Sequence, residues 1–179
     1  MALAFCSILL AGCASLPAYD TAKPHMALTA ATEKELLAYG NSFVENPYLE
    51  PRTLLRGKLN EFYIVKLSLN LPEATRISVI ADARKPDGSE AAKVYEQNTF
   101  IEFWDAVTAA ESTAGSEIQK KNSSISRSCL PAFSFIANAG QSECYIPFVG
   151  KYPIPRPAKI YVQVSTGSGE PAVYTATLE

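Results

Sequence analysis

Apolar and polar residues alternate most regularly along residues 61–72, EFYIVKLSLNLP. The apolar positions are Tyr63, Val65, Leu67, Leu69 and Leu71. Successive side chains in a strand point to opposite faces of a sheet, so this spacing predicts a strand with one buried face. Pro72 ends it, because proline cannot donate a backbone hydrogen bond.

The same alternation recurs further along the chain. Residues 76–84, RISVIADAR, place four apolar side chains on one face, namely Ile77, Val79, Ala81 and Ala83. The turn residues of KPDGS, 85–89, follow, so we expect a hairpin over 76–97 in which AAKVYEQ is the returning strand. KIYVQVS and PAVYTATLE flank a turn containing Gly167 and Gly169 and predict a second hairpin. AFSFIA and CYIPFV predict two further short strands.

Two segments have helical spacing. In TEKELLAYGN, Thr32 precedes Glu35 by three residues, which is the spacing of a capping box and predicts a short helix over 32–39. In NTFIEFWDAVTAAE the apolar residues recur every three or four positions, which favours a helix from about 100 to 111 over a strand through TFIEFW. Its buried face would consist of Phe100, Phe103, Trp104 and Val107. The polar stretch 112–124 predicts a surface loop.

Several short strands with turn residues between them, and no regular alternation with helices, predict a mainly β fold. We expect an antiparallel β-sandwich, immunoglobulin-like or transthyretin-like, with one or two short helices over an edge or an open end. The length of 179 residues suits one such domain, over residues 28–179. Proline-rich residues 150–157, GKYPIPRP, are either a rigid connection or a docking segment. In the second case the possible partner-binding residues are Tyr152, Pro153, Pro155 and Arg156.

The N-terminal segment carries the one family resemblance. ALAFCSILL is an uncharged apolar run of signal-peptide length, too short to span a bilayer. Leu10-Ala11-Gly12-Cys13 follows it and resembles the lipobox of bacterial lipoprotein precursors. The resemblance implies a signal peptide over 1–12, lipidation of Cys13, and a tether over 13–27. MALAF lacks the Lys or Arg that signal peptides normally carry, so the start codon stays open.

The resemblance also implies an extracytoplasmic location. With Ala14 after the cysteine, the expected site is the outer membrane facing the periplasm, with the inner membrane and the cell surface as alternatives. Cys129 and Cys144 are then the only cysteines of the domain, and an oxidising compartment predicts a disulfide between them. This disulfide would join cysteines 15 residues apart and so staple an apolar segment that turns near Gly140.

Few residues point to catalysis. The only histidine, His25, falls in the predicted tether, so we expect no Ser-His or Cys-His nucleophile in the domain. The carboxylates considered for a glycosidase pair are Asp82, Asp87, Glu102 and Asp105. We expect structural roles for them. No metal site and no cofactor are predicted.

The net charge of the chain limits the classes of partner that we expect. The formal net charge is −2 and no basic run exceeds Lys120-Lys121, which argues against nucleic acid. The sequence therefore predicts a membrane-anchored periplasmic lipoprotein, not an enzyme, that serves as a binding or scaffolding module of an envelope assembly such as a secretion or pilus system. Its partners would be the membrane, through the lipid, and an envelope protein, and the oligomeric state is left open. The alternatives are an inhibitor or immunity lipoprotein that blocks a toxin or hydrolase through the stapled segment 129–144, and, less favoured, a carboxylate-dependent hydrolase.

Overall fold

The chain folds as a β-sandwich with an added helical layer. A computed structural model describes residues 24–39, 46–48, 52–55, 58–110, 115–167 and 169–179. Within these residues, two antiparallel sheets pack against each other and three helices lie on the outer side of one sheet. The predicted mainly β sandwich is confirmed. The predicted signal peptide and Cys13 lie outside the described residues, and the first strand begins at His25, within the stretch predicted as tether.

Sheet A has five strands. They are β1 His25–Ala30, β2 Arg52–Leu55, β3 Lys58–Leu71, β5 Lys93–Val94 and β7 Gly140–Lys151. The long strand β3 is central: β1 and β2 both pair with one of its edges, and β7 pairs with the other. β5 adds a short edge beside β7. The predicted strand over 61–72 is thus the middle of the sheet, and Val65, Leu67, Leu69 and Leu71 point toward sheet B. Phe62 and Ile64 are buried on the opposite face, so the strand has two buried faces where one was predicted.

Sheet B has four strands in the order β6-β4-β8-β9. They are β4 Thr75–Arg84, β6 Ser134–Ala137, β8 Ala158–Thr166 and β9 Ala172–Leu178. β8 and β9 form the predicted C-terminal hairpin. The core between the sheets contains alternating residues of both, among them Val65, Leu67, Ile77, Ile146, Phe148, Ile160, Val162 and Val164.

The helical layer covers the outer face of sheet A. It consists of α1 Glu33–Leu36 with a 3₁₀ turn Leu37–Tyr39, α2 Gln97–Ala110 and α3 Gly115–Ser128. The predicted capping box is present at the start of α1, and α2 buries the predicted aromatic face. A second core forms between the helices and sheet A, including Phe62, Ile64, Phe100, Phe103, Trp104, Val107, Ile125 and Tyr145. The expected position of the helices, over an edge or an open end, was therefore wrong.

Two predicted elements differ from the structure. The stretch 112–124 is not a loop, because its described residues belong to α3, whose Ile125 is buried against sheet A. The segment after β4 is not a hairpin partner either. Arg84 and Glu90 form a single bridge, and the chain then crosses to sheet A, where Lys93 pairs with Val149. The turn residues bring the chain back as predicted, but burial of the intervening alanines between the sheets directs it to the other sheet.

Candidate functional site

The proline-rich segment is fixed to the end of the sandwich. The backbone N–H of Ile154 donates to Glu61 Oε2 at 2.8 Å, and Arg156 Nη2 donates to Glu61 Oε1 at 3.2 Å. Arg156 also donates to the Glu179 carbonyl at 2.7 Å. Ile154 is buried in the core between the sheets. The Glu61 carboxylate thus holds the segment at Ile154 and at Arg156. This favours the interpretation of the segment as a rigid connection over its interpretation as a docking segment.

The other three candidates in this segment differ in exposure. Tyr152 and Pro155 are half-buried, and Pro153 is exposed. The backbone N–H of Tyr152 donates to the Leu59 carbonyl at 2.8 Å, which continues the pairing beyond β3 and β7. The four predicted partner-binding residues therefore do not form a continuous exposed surface.

The predicted disulfide is absent, because Cys129 and Cys144 are free thiols. Cys129 follows α3, bridges to Tyr145 and packs with it in the helix-side core. Cys144 precedes Tyr145 in β7 and packs against the core between the sheets. Adjacent strand residues point to opposite faces, so the two thiols lie on opposite sides of sheet A, where disulfide geometry is not met. The prediction was wrong because spacing along the chain does not reveal which face a cysteine occupies.

The burial of the two thiols lowers their reactivity. Burial raises the pKa of Cys129 far above its usual value, and it raises the pKa of Cys144 to about 12. A thiol needs its thiolate form to act as a nucleophile, so neither cysteine is reactive at neutral pH. Much of 129–144 belongs to β6 and the beginning of β7, whereas the inhibitor alternative requires a loop.

The candidate carboxylates have structural partners. Asp82 accepts from the Ala83 N–H at 2.8 Å and pairs with Arg84 at 2.6 Å. Asp87 accepts from the N–H and hydroxyl of Ser89, and these bonds lower the pKa of Asp87. Asp105 accepts from Asn122 of α3 at 2.8 Å. Three of the four predicted carboxylates thus stabilise turns, a strand edge or a helix pair.

The best candidate for a site is the outward side of sheet B, which we call the open face. Its members are Arg76, Ser78, Ile80 and Asp82 of β4, Ser134 and Ile136 of β6, Tyr161, Gln163 and Ser165 of β8, and Val173 and Thr175 of β9. The inward side of the same strands carries Ile77, Val79 and Val162. The helices lie on sheet A, so among the described residues no element packs on the open face.

The open face concentrates exposed apolar side chains. Only three large apolar side chains of the described residues are more than half exposed: Ile80 at 61%, Ile136 at 66% and Val173 at 53%. All three belong to this face. Ile80 and Val173 both pair with Gln163, so they lie in one row across three strands, and Ile136 is placed near the edge opposite Arg76.

The polar groups of the open face are mostly hydroxyls, with the Gln163 amide, the Arg76 guanidinium and the Asp82 carboxylate among them. Arg76 donates to Ser134 at 3.5 Å, and Tyr161 donates to Gln163. Arg84 of β4 and Lys159 of β8 are opposite each other in the strand register at the end of the face. Asp82 forms an ion pair with Arg84 there. An aliphatic patch with more cations than carboxylates is suited to a protein surface that presents apolar side chains flanked by carboxylates.

Sequence analysis did not single out the open face. In RISVIADAR, Ile80 stands on the side opposite the buried residues, and Ile136 and Val173 stand likewise in their strands. A single apolar residue at an outward register position is normal on a protein surface, and each of these strands holds only one. The sheet order β6-β4-β8-β9, which brings the three together, is not evident from any one strand.

No family model matches the chain, and no curated protein matches its sequence.

The helices in the described ranges are too short or too polar to cross a bilayer. Within those same ranges, no group of three or more His, Cys, Asp and Glu side chains is placed to hold a metal ion.

Proposed function

We propose that this protein is a lipid-anchored binding module of the bacterial envelope that docks a partner protein on its open face. The observation that carries the docking role is that Ile80, Ile136 and Val173, the three most exposed large apolar side chains of the described residues, share one sheet face on which no other described element packs. Exposed apolar side chains gathered on one face are typical of protein-binding sites. Covering these side chains would contribute about 1 to 2 kcal/mol each to binding.

The lipid anchor in this proposal rests on Leu10-Ala11-Gly12-Cys13. Residues 14–24 connect that cysteine to β1. Eleven residues span at most about 40 Å when fully extended. Such a connection lets the domain stand clear of the headgroups while it stays within reach of a membrane-bound partner. The anchor raises the local concentration of the module, so a modest docking affinity suffices.

The open face supports a scaffold more than the inhibitor alternative. An inhibitor that inserts into a cleft needs a projecting loop, and the stapled segment expected for it forms parts of two sheets instead. A broad sheet face with aliphatic side chains fits a flat partner surface. We therefore propose docking to an envelope protein whose contact surface is apolar and flanked by carboxylates.

Site-specific crosslinking tests this proposal. A photoreactive amino acid placed at Ile80 or Val173 should give the same crosslinked partner in native membranes, because both positions lie in one row. The matched control position is Leu37, an exposed apolar residue of the helical layer, which should not give that product. The purified protein should compete for the crosslink, whereas its Ile80→Lys variant should compete at least tenfold more weakly.

The result can contradict the proposal in two ways. Equal products from Ile80 and Leu37 would show contact without a preferred face. Undiminished competition by Ile80→Lys, in a variant whose thermal unfolding is unchanged, would exclude the open face as the docking surface. Because Ile80 is exposed, this substitution leaves the core intact and folding is expected.

A further inference from the structure

We propose that a cleft at one end of sheet A binds a phosphorylated ligand. The cleft has a volume of about 370 Å³, and Lys58, Lys93 and Lys151 line it together with Asn60 and Tyr95. We call it the lysine cleft. Sites for small ligands begin at about 300 Å³, so there is room for a phosphorylated sugar or a headgroup.

Strand register places the three lysines on one face. Lys151 pairs with Asn60, and Lys58 lies two residues before Asn60 on the same side of β3. Lys93 pairs with Val149, which lies two residues before Lys151 on the same side of β7. Each lysine of β3 and β5 is therefore a diagonal neighbour of Lys151, within reach for long side chains. Val149 belongs to the helix-side core, so this is the face that carries the helices.

The cluster is electrostatically unbalanced. Among the described residues, no carboxylate lies within ion-pair distance of Lys58, Lys93 or Lys151. Glu90 is the one carboxylate of the described lining. The chain as a whole has a formal charge of −2, so the cluster does not follow from a basic composition. Like charges at neighbouring sheet positions repel each other, and a bound anion would relieve that repulsion.

The kind of cation favours phosphate. The described lining contains lysine and no arginine. Lysine acts as a compact point charge and commonly binds phosphate oxygens, so three lysines at one cleft suit a group that carries several anionic oxygens. The Tyr95 side chain adds a neutral hydroxyl, a hydrogen-bonding group of the type that binds sugar hydroxyls. The shared chemistry is thus a phosphate group on a polar scaffold, either soluble or at a membrane surface.

Calorimetric titration of the purified protein with glucose 1,6-bisphosphate tests the lysine cleft. We expect saturable binding that weakens with added salt. Lys58→Gln, Lys93→Gln and Lys151→Gln should each weaken it about tenfold, since each removes a charge-assisted hydrogen bond. The matched control Lys34→Gln removes an exposed lysine of α1 and should leave binding unchanged. Citrate, an anion with carboxylates only, should bind more weakly than the bisphosphate.

A second arm distinguishes the source of the phosphate. The Cys13→Ser protein, which lacks the proposed lipid, is mixed with phosphatidylcholine vesicles with and without phosphatidic acid. Lysine-dependent binding to phosphatidic acid vesicles alone supports a headgroup, and lysine-dependent binding to the soluble bisphosphate supports a free ligand. Absence of binding to both probes, or equal binding by the triple Lys→Gln variant, overturns the proposal. The single variants keep the test decisive if the triple variant does not fold.

Discussion

Glu35 of α1 forms an ion pair with Lys66 of β3, and this contact joins the shortest helix to the central strand of sheet A. The backbone N–H and the hydroxyl of Thr32 both donate to the same carboxylate at 2.8 Å. The Lys66 ammonium, and then the two Thr32 bonds, lower the pKa of Glu35 from 4.5 to about 2. The capping box and the ion pair therefore act through one side chain.

The lowered pKa of Glu35 predicts a dependence of stability on pH. A carboxyl group whose pKa falls on folding stabilises the protein above its unfolded pKa and loses that effect as the pH falls through the folded value. We expect Glu35→Gln to lower the free energy of unfolding by about 1 kcal/mol at neutral pH, after allowance for solvent screening. The two proteins should converge as the pH falls from 4.5 to about 2.

Urea unfolding at a series of pH values measures this difference. Glu33→Gln is the matched control, because Glu33 is exposed on the same helix and no ion pair of Glu33 is formed among the described residues. It should cost less at neutral pH. A Glu35→Gln deficit that stays constant down to pH 2 would show that the ion pair is not the cause.

Cys129 and Cys144 are expected to act independently on stability, because they pack on opposite sides of sheet A. Each Cys→Ala substitution should lower the free energy of unfolding by about 1 kcal/mol. The losses should add in the double variant to within about 0.5 kcal/mol. Urea unfolding without reductant is the measurement. A disulfide would produce the opposite pattern, in which either single variant loses as much as the double variant.

Lys121 of α3 lies over the ring of Trp104 of α2, with Nζ 3.8 Å from the ring centroid. Both side chains are buried, which makes a cation–π contact worth about 2 kcal/mol. We expect Lys121→Met to lower the free energy of unfolding by that amount and Lys121→Arg to retain most of it. Trp104 is the only tryptophan, so its fluorescence follows the transition. Equal losses in the two variants would argue against a role for the charge.

The sequence predicted elements best where the burial pattern alone decides. β3 alternates from Val65 to Leu71, and α2 repeats aromatic residues at helical spacing, so both follow from periodicity. α3 was missed because its segment is polar and rich in serine, which is typical of turns and loops. Its stability depends on tertiary contacts: Ser128 donates to the Ser124 carbonyl at 2.6 Å, Ser124 to the Tyr39 carbonyl, and Lys121 covers Trp104.

Surfaces built from distant strands were beyond sequence analysis. Lys58, Lys93 and Lys151 are separated by dozens of residues, and only the pairing of β5 and β3 with β7 brings them together. The same holds for the open face, where Ile80 and Val173 lie on either side of Gln163 of β8. A turn motif such as KPDGS determines that the chain reverses but not which sheet receives it.

Gly140 begins β7 with a φ of +98°, a conformation that L side chains rarely adopt. No atom lies within 4 Å of the position a Cβ would take, so backbone strain is the only expected cost of a side chain. Gly140→Ala should lower the free energy of unfolding by about 1 kcal/mol. Gly115, at the start of α3, has equal space and no positive φ, so Gly115→Ala should be neutral or slightly stabilising. Thermal unfolding of both variants separates the two outcomes.

The proposed anchor predicts where the protein is found in the cell. Lipid attachment through sulfur requires the thiol of Cys13, so Cys13→Ser should move the protein from the membrane fraction to the soluble periplasmic fraction. Cys6→Ser is the matched control, since Cys6 lies in the same N-terminal segment but outside the Leu10-Ala11-Gly12-Cys13 motif. It should remain with the membranes. Membrane association that survives Cys13→Ser, together with a native mass spectrum showing an unmodified peptide through residue 13, would exclude the anchor and leave the open face as a docking surface of an untethered domain.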